Sequence, residues 1–292
     1  MSVSDQFSGF CNNLTILNRE TISLRYKAIT KRLNLDFWGW ESDSLHSLYS
    51  GSYGRGTAIR GKSDLDMVFW LHPDDFSRYD SYVGNGQSGL LQAAKNSIRN
   101  TYPNTDVSGD GQVVVVTFSD GTQFDVVPAF EKDDGSFLFP DSNDGGKWKK
   151  CDPRPEIASI QRIDDKTNGN LKWLCQMARA WKRQMDVPIK GLLIDTLAHN
   201  FIQDWGYRDK SFLYYDWMSR DFFRYVADQK DDQWYWYAPG SNQLVINTDN
   251  FRWKATRAHN ISIEAIDYAS KEQWWSSCQK WREIYGTAFP SA

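Results

Sequence analysis

Apolar residues at Ile16, Ile22, Leu24, Ile29 and Leu33 alternate with charged neighbours at helical spacing, which predicts a helix from about Leu14 to Leu33. The period then changes. Met67 to Leu71 is a short apolar run of the length a buried strand takes. Tyr82 to Gln87 is rich in Gly, Ser and Asn and predicts a loop, followed by a helix from about Leu90 to Asn100 that ends before Pro103. Val113 to Phe118 and Gln123 to Pro128 are β-rich runs joined by Ser119-Asp120-Gly121-Thr122, the pattern of a hairpin closed by an Asp-Gly turn. Lys132 to Pro155 is dense in Asp, Gly, Lys and Pro and reads as a long connection. Beyond it the chain turns helical, with Leu171, Leu174 and Met177 placed towards a core. The aromatic run Trp234 to Tyr237 leads into a turn at Ala238 to Asn242, which is assigned a structural role.

Composition narrows the classes. A chain of 292 residues suits one large or two intimately packed domains. The net charge of −3 gives no global signal for nucleic acid or membrane, so any basic surface is local. No apolar run approaches the ~20 residues of a membrane helix, and Met1 to Gln6 lacks the basic start and apolar stretch of a signal peptide. A soluble cytoplasmic protein is expected. Cys11, Cys151, Cys175 and Cys278 form no Cys-x-x-Cys pair and read as free thiols. The four histidines are dispersed and have no metal-cluster spacing.

Candidate chemistry concentrates between Gly51 and Asp66. A Gly51-Ser52 turn lets the backbone approach a triphosphate, and the Ser52 hydroxyl can donate to a phosphate oxygen. On a strand, Asp64 and Asp66 share one face while Leu65 and Met67 turn inward. Carboxylates are hard ligands suited to Mg²⁺ together with substrate phosphates. Asp-x-Asp alone is common and more often marks turn or surface carboxylates than a metal site. A third acid, Asp125, lies inside a β-rich run between Phe124 and Val126, where a charge is costly without a partner. It either shares the metals of Asp64 and Asp66 or is a salt-bridged structural aspartate. Lys172, Arg179 and Lys182 fall on one stripe of a helix, either as a solvated face or as a cationic wall for a triphosphate.

Gly51-Ser52, a short helix, Asp64-x-Asp66 and the distant Asp125 together resemble the cGAS/DncV-like nucleotidyltransferases (CD-NTases) of bacterial SMODS type, within the polymerase β-like superfamily. Phe124 to Phe130, Phe139-Pro140-Asp141, Gly145 to Trp148 and the closing Trp281 to Pro290 resemble segments of the same family. The resemblance implies an α+β fold: a polymerase β-like core, a mixed sheet with flanking helices, plus a helical C-terminal lobe, bilobal with the active site in the cleft. Its core is expected over residues 1–150, including an N-terminal helix bracing both lobes, and its helical lobe over 151–292. Gly51, Ser52, Arg179, Lys182 and Lys190 are then the expected nucleotide-binding residues. Arg179 stands where the family usually has Lys, and Gly191 where relatives commonly carry a phosphate-contacting Ser.

The implied activity joins ribonucleoside triphosphates, ATP among them, into a cyclic di- or trinucleotide second messenger. Two Mg²⁺ or Mn²⁺ ions on Asp64, Asp66 and Asp125 support the transfer, and the setting is bacterial anti-phage (CBASS) signalling through a separate effector protein. A monomer is expected, with a regulatory partner or one that conjugates the C-terminus as possible associates. Phe289 to Ala292 are expected to leave the globule. Rival readings are a linear oligonucleotide synthase, a toxin nucleotidylating protein or tRNA, and a non-catalytic nucleotide-binding module.

Overall fold

The computed structural model describes residues 2–61 and 64–291, and its internal contacts divide the chain into two compact units. The mixed unit comprises residues 17–54 and 62–154, and the helical unit residues 1–16, 55–61 and 155–292. A single boundary after residue 150 is therefore not how the contacts fall. The reason lies in the side chains of the first helix, α1 (Val3–Leu14), where Phe7, Phe10, Cys11 and Leu14 join the core of the helical unit.

Instead of one helix across Leu14 to Leu33, the chain breaks after α1 at Thr15, whose backbone is extended, and starts α2 (Arg19–Trp38). Within α2, Ile22, Ile29 and Leu33 form the buried stripe, while Leu24 is 69% exposed and lies off it. Helix α2 runs past Leu33 and stops at Gly39 in the left-handed region (φ +77°), the usual glycine stop.

In the mixed unit follow β1 (Ser47–Tyr49), the one-turn α3 (Gly51–Gly54), β2 (Leu65–Trp70), α4 (Asp75–Asp80) and α5 (Gly86–Thr101). Helix α5 starts earlier than its apolar pattern suggests because Asn85 caps it, its side-chain oxygen accepting from the Ser88 N–H at 2.8 Å. Then come β3 (Asp106–Asp110), β4 (Val113–Thr117), β5 (Gln123–Glu131), β6 (Phe137–Asp141) and β7 (Lys147–Cys151). These strands form one seven-stranded sheet, in which β2 and β5 are central and parallel while the other pairs are antiparallel. The expected β4–β5 hairpin is present, its turn closed by Phe118 N–H on Thr122 O at 2.9 Å. Lys132 to Pro155 is not a bare connection, because β6 and β7 form a second hairpin there. Phe137 is fully buried against Val68 and Ala129, while Asp133, Asp134 and Gly135 precede β6 and Asp144, Gly145 and Gly146 lie between β6 and β7.

The helical unit continues with α6 (Pro153–Lys166), which begins at the edge of the mixed unit, then α7 (Asn170–Gln184), α8 (Gly191–Asp204), α9 (Tyr215–Ala227), the small hairpin β8 (Tyr235–Tyr237) and β9 (Leu244–Ile246), α10 (Arg252–Ser270) and α11 (Trp274–Tyr285). The Ala238 to Asn242 turn joins the antiparallel strands β8 and β9. Among the described residues no helix is long and apolar enough to cross a membrane. All four cysteines are free thiols.

Phe289 does not leave the globule. It is fully buried, with its ring 5.3 Å from Phe7, 5.2 Å from Phe10 and 6.1 Å from Trp281, because a large aromatic gains more from burial than a tail gains in freedom. Ala292 lies outside the described residues. Phe289→Leu should lower stability within the ordinary core range of about 0.5–3 kcal/mol. Chemical denaturation monitored by tryptophan fluorescence measures this, and an unchanged midpoint would show that the ring adds nothing to the core.

Candidate active site

Gly51 opens α3 with φ +54°, a left-handed conformation that L side chains rarely adopt. A Cβ placed there would stand 1.8 Å from Asp66 Oδ2. The turn is tied to β2 by Ser50 N–H on Asp66 O at 2.8 Å and closed by Gly54 N–H on Ser50 O at 2.8 Å. The glycine thus lets the Ser52 turn lie directly on an acid of β2. Gly51→Ala should displace the turn or the carboxylate and cost about 1–3 kcal/mol in backbone strain, with loss of activity beyond any loss of fold. Paired activity and thermal-melt measurements separate the two effects.

In β2, Leu65 and Met67 are buried, Asp66 is half-buried and Asp64, just before the strand, is exposed. The alternation follows the expected pleat. Asp66 pairs directly with Asp125 in the parallel β2–β5 register, so the two acids are lateral neighbours on one face of the sheet. Phe124 and Val126, on the opposite face of β5, are fully buried. Gln123 Nε2 donates to Asp125 Oδ1 at 2.9 Å. Burial pushes the Asp125 carboxyl above its ordinary value, and the like charges of Asp64 and Asp110 push the same way, opposed by the Gln123 bond. Among the described residues no three acidic, histidine or cysteine side chains are gathered into one coordination sphere. What the sheet supplies is a set of neighbouring carboxylates whose mutual repulsion favours a cation. An all-oxygen set of this kind fits Mg²⁺ or Mn²⁺.

The expected basic residues lie in the helical unit. Arg179 on α7 is taken up by Asp195 on α8, with Nη2 on Oδ2 at 2.8 Å, and it also donates to Gly191 O at 3.2 Å and Cys175 O at 3.4 Å. Asp195 is fully buried. It also accepts from Arg55 Nε at 2.9 Å and Thr57 Oγ1 at 3.0 Å, while Arg55 reaches Glu156 at 3.1 Å. Burial alone would raise the Asp195 pKa, but the Arg179 and Arg55 charges override it and hold the carboxyl at about 2. Most Arg179 donors are therefore spent inside the protein. Lys182 is half-buried, and desolvation followed by the Arg179 charge lowers its pKa. Lys190 is exposed at the start of α8, its N–H on Asn247 Oδ1 at 3.2 Å. A Cβ on Gly191 would meet Arg179 Nη2 at 3.6 Å, an ordinary contact. Lys172, on the same helix, pairs with Asp164 at 3.4 Å.

Residues 1–163 match the model of the Second Messenger Oligonucleotide or Dinucleotide Synthetase domain, SMODS. The chain belongs to the SMODS family. It is 26% identical over 279 residues to a probable cyclic nucleotide synthase of Bacillus cereus (strain VD146), covering 82% of this chain and 81% of the relative. It is 20% identical over 264 residues to the cyclic AMP-AMP-AMP synthase of Acinetobacter sp. (strain ATCC 27244 / 9458), covering 84% and 73%. The structure resembles the CdnC of E. coli MS115-1 solved in complex with HORMA-deltaN, with a TM-score of 0.69 over 98% of each chain at 18% identity. The fold is that of the CD-NTases, polymerase β-like nucleotidyltransferases.

Around the acids of this SMODS protein, the sequence reading missed Gln123 and Asp110. Gln123 was legible in principle, since it lies two residues before Asp125 on the same strand face. The Asp195 network was also missed. Its signal was an acid inside the apolar run Leu192-Leu193-Ile194-Asp195-Thr196-Leu197, where a charge demands partners.

Proposed function

We propose that this SMODS protein joins ribonucleoside triphosphates into a cyclic di- or trinucleotide with release of pyrophosphate. The observation that carries this reading is the register of Asp66 beside Asp125, with Gly51 admitting the Ser52 turn against Asp66. In each step a ribose hydroxyl attacks an α-phosphorus, the new P–O bond forms, the bond to the β-phosphate breaks, and the hydroxyl proton passes to solvent. Repeating the step on the product's own hydroxyl closes the ring.

Asp64, Asp66 and Asp125 would hold Mg²⁺ or Mn²⁺. When bound, a pair of such ions lowers the pKa of the attacking hydroxyl and offsets charge on the transferring phosphate. Gln123 keeps Asp125 oriented, and Ser52 donates to phosphate oxygen. Lys182 and Lys190 carry ammonium charge suited to the triphosphate. Arg179 acts chiefly by holding α7 to α8 through Asp195. Bacterial anti-phage signalling through a separate effector in the cytoplasm is the setting we infer from the family.

Incubation with all four ribonucleoside triphosphates and Mg²⁺ or Mn²⁺, followed by phosphatase and mass spectrometry, tests the reading. The expected product resists phosphatase and has the mass of two or three nucleoside monophosphates less one water each. Phosphatase-sensitive ends would make the protein a linear synthase instead, and no product with any metal and nucleotide would overturn the reading.

A further inference from the structure

One charged cavity of the helical unit has no part in the proposed reaction. It encloses about 420 Å³ and is lined by Arg162, Ile163, Lys166, Thr167, Gln203 and Arg208, a volume within the usual range for small-ligand sites. Three of these six residues are cations and none is an acid. Arg162 and Lys166 are one turn apart on α6 and share a face. Gln203 belongs to the last turn of α8, and Arg208 follows that helix.

Among the described residues no carboxylate pairs with Arg162, Lys166 or Arg208. Three of the neighbouring acids are engaged, while exposed Asp204, next to Gln203 at the end of α8, is a further carboxylate beside the cavity. Asp164 accepts from Lys172 Nζ at 3.4 Å and the Lys172 N–H at 2.9 Å, Asp165 accepts from Gln161 at 2.7 Å, and Asp209 pairs with Lys210 at 3.4 Å. Basic side chains at helix C-termini often serve the carbonyl end of the helix dipole. Arg208 does so through Gln203 O, which uses one of its five N–H donors. Arg162 and Lys166 make no such bond. The charge of Arg162 is felt nearby: burial lowers the His199 pKa, and Arg162 adds to that shift against the Asn200 hydrogen bond.

The walls are fixed. Buried Asn170 donates to Arg208 O at 2.9 Å and Lys210 O at 2.8 Å, and is itself held by Tyr215 Oη at 2.6 Å. Gln203 is tied to His199 O at 2.9 Å. Along α8, Gln203 lies about 18 Å from Gly191 at ~1.5 Å per residue, so the cavity is at the other end of that helix from Lys190.

We propose that this cavity is a second anion site that takes a compact ligand carrying two or more phosphate groups. Three basic side chains line one cavity, guanidinium and ammonium groups match phosphate chemistry, and the volume suits one small molecule. A nucleoside triphosphate and a cyclic oligonucleotide share that chemistry. Binding here does not depend on the proposed reaction.

Isothermal titration of the full chain without divalent metal, using inorganic tripolyphosphate, ATP, cyclic di-AMP and a 20-nucleotide RNA as separate probes, tests the site. Tripolyphosphate should bind, more weakly at higher salt, and lose at least tenfold in affinity in Arg162→Glu/Lys166→Glu and in Arg208→Gln, all at exposed positions, with unchanged melting. Lys182→Ala should retain that binding. Whichever of ATP and cyclic di-AMP loses affinity in the same variants is the source of the phosphate groups. Undiminished tripolyphosphate binding in both variants, or none in wild type at 0.1 M salt, would overturn the proposal. Sensitivity of the RNA arm alone would overturn it in favour of a nucleic-acid surface.

Discussion

Asp66→Asn and Asp125→Asn should each lower nucleotide product by several powers of ten while leaving the protein folded. A carboxamide keeps the shape of the side chain but removes the charge that a divalent cation requires, and with it both activation of the attacking hydroxyl and stabilisation of phosphate charge. The sign of the stability change separates this role from a structural one. The folded-state pKa of Asp125 is raised by burial and by neighbouring acids. Its ionisation therefore costs stability as pH rises through that value, and the cost persists at neutral pH. Asp125→Asn removes the cost, so its Tm at neutral pH should equal or exceed that of wild type. Pyrophosphate release together with calorimetry measures both. Normal turnover in either variant, or a large fall in Tm for Asp125→Asn, would reject the metal-binding role.

Asp195→Ala should produce the opposite pattern, a large loss of stability. The substitution leaves Arg55 and Arg179 buried around a missing anion, and stranding buried charge in this way costs about 3–5 kcal/mol, a fall in Tm of roughly 5–8 °C for a chain of 292 residues. The pH dependence has its own direction. The folded pKa of Asp195 is held at about 2, below its ordinary 3.8. Its contribution is fully present above the ordinary value and is lost as pH falls from there towards 2. The wild-type acid limb should therefore steepen across that window, and the variant should lack this component. Glu156 and Thr57 can soften the loss only in part, because neither replaces the bidentate partner of Arg179. A melt unchanged from wild type would mean that the network adds no net stability.

The contrast between these variants follows what the sequence could and could not convey. Glycine before serine, alternation through Asp64 to Met67, and an acid in a β-rich run are local features, and each specifies a local geometry by sterics or strand period. The β4–β5 hairpin was legible for the same reason, since its Asp-Gly turn and valine-rich arm lie within a few residues of one another. The hairpin β6–β7 was hidden because turn residues dominate its composition, while the burial of Phe137 depends on Val68, far away in sequence. The break between α1 and α2 was hidden because periodicity reports where apolar side chains could face but not which of them find a surface to cover them.

Arg179 is the sharpest case. A cation on a helix stripe reads the same whether it faces a phosphate or a carboxylate, and only the arrival of Asp195 from another helix decides between them. Phe289 likewise reads as tail until the aromatic ring set of α1 and α11 closes around it. The sequence by itself determined the candidate acids, the glycine turn beside them and the strand that carries them, because those depend on neighbours one to four residues apart. Tertiary structure alone decided which charges remain available to a ligand, since pairing and desolvation are set by residues that meet only after the chain has folded.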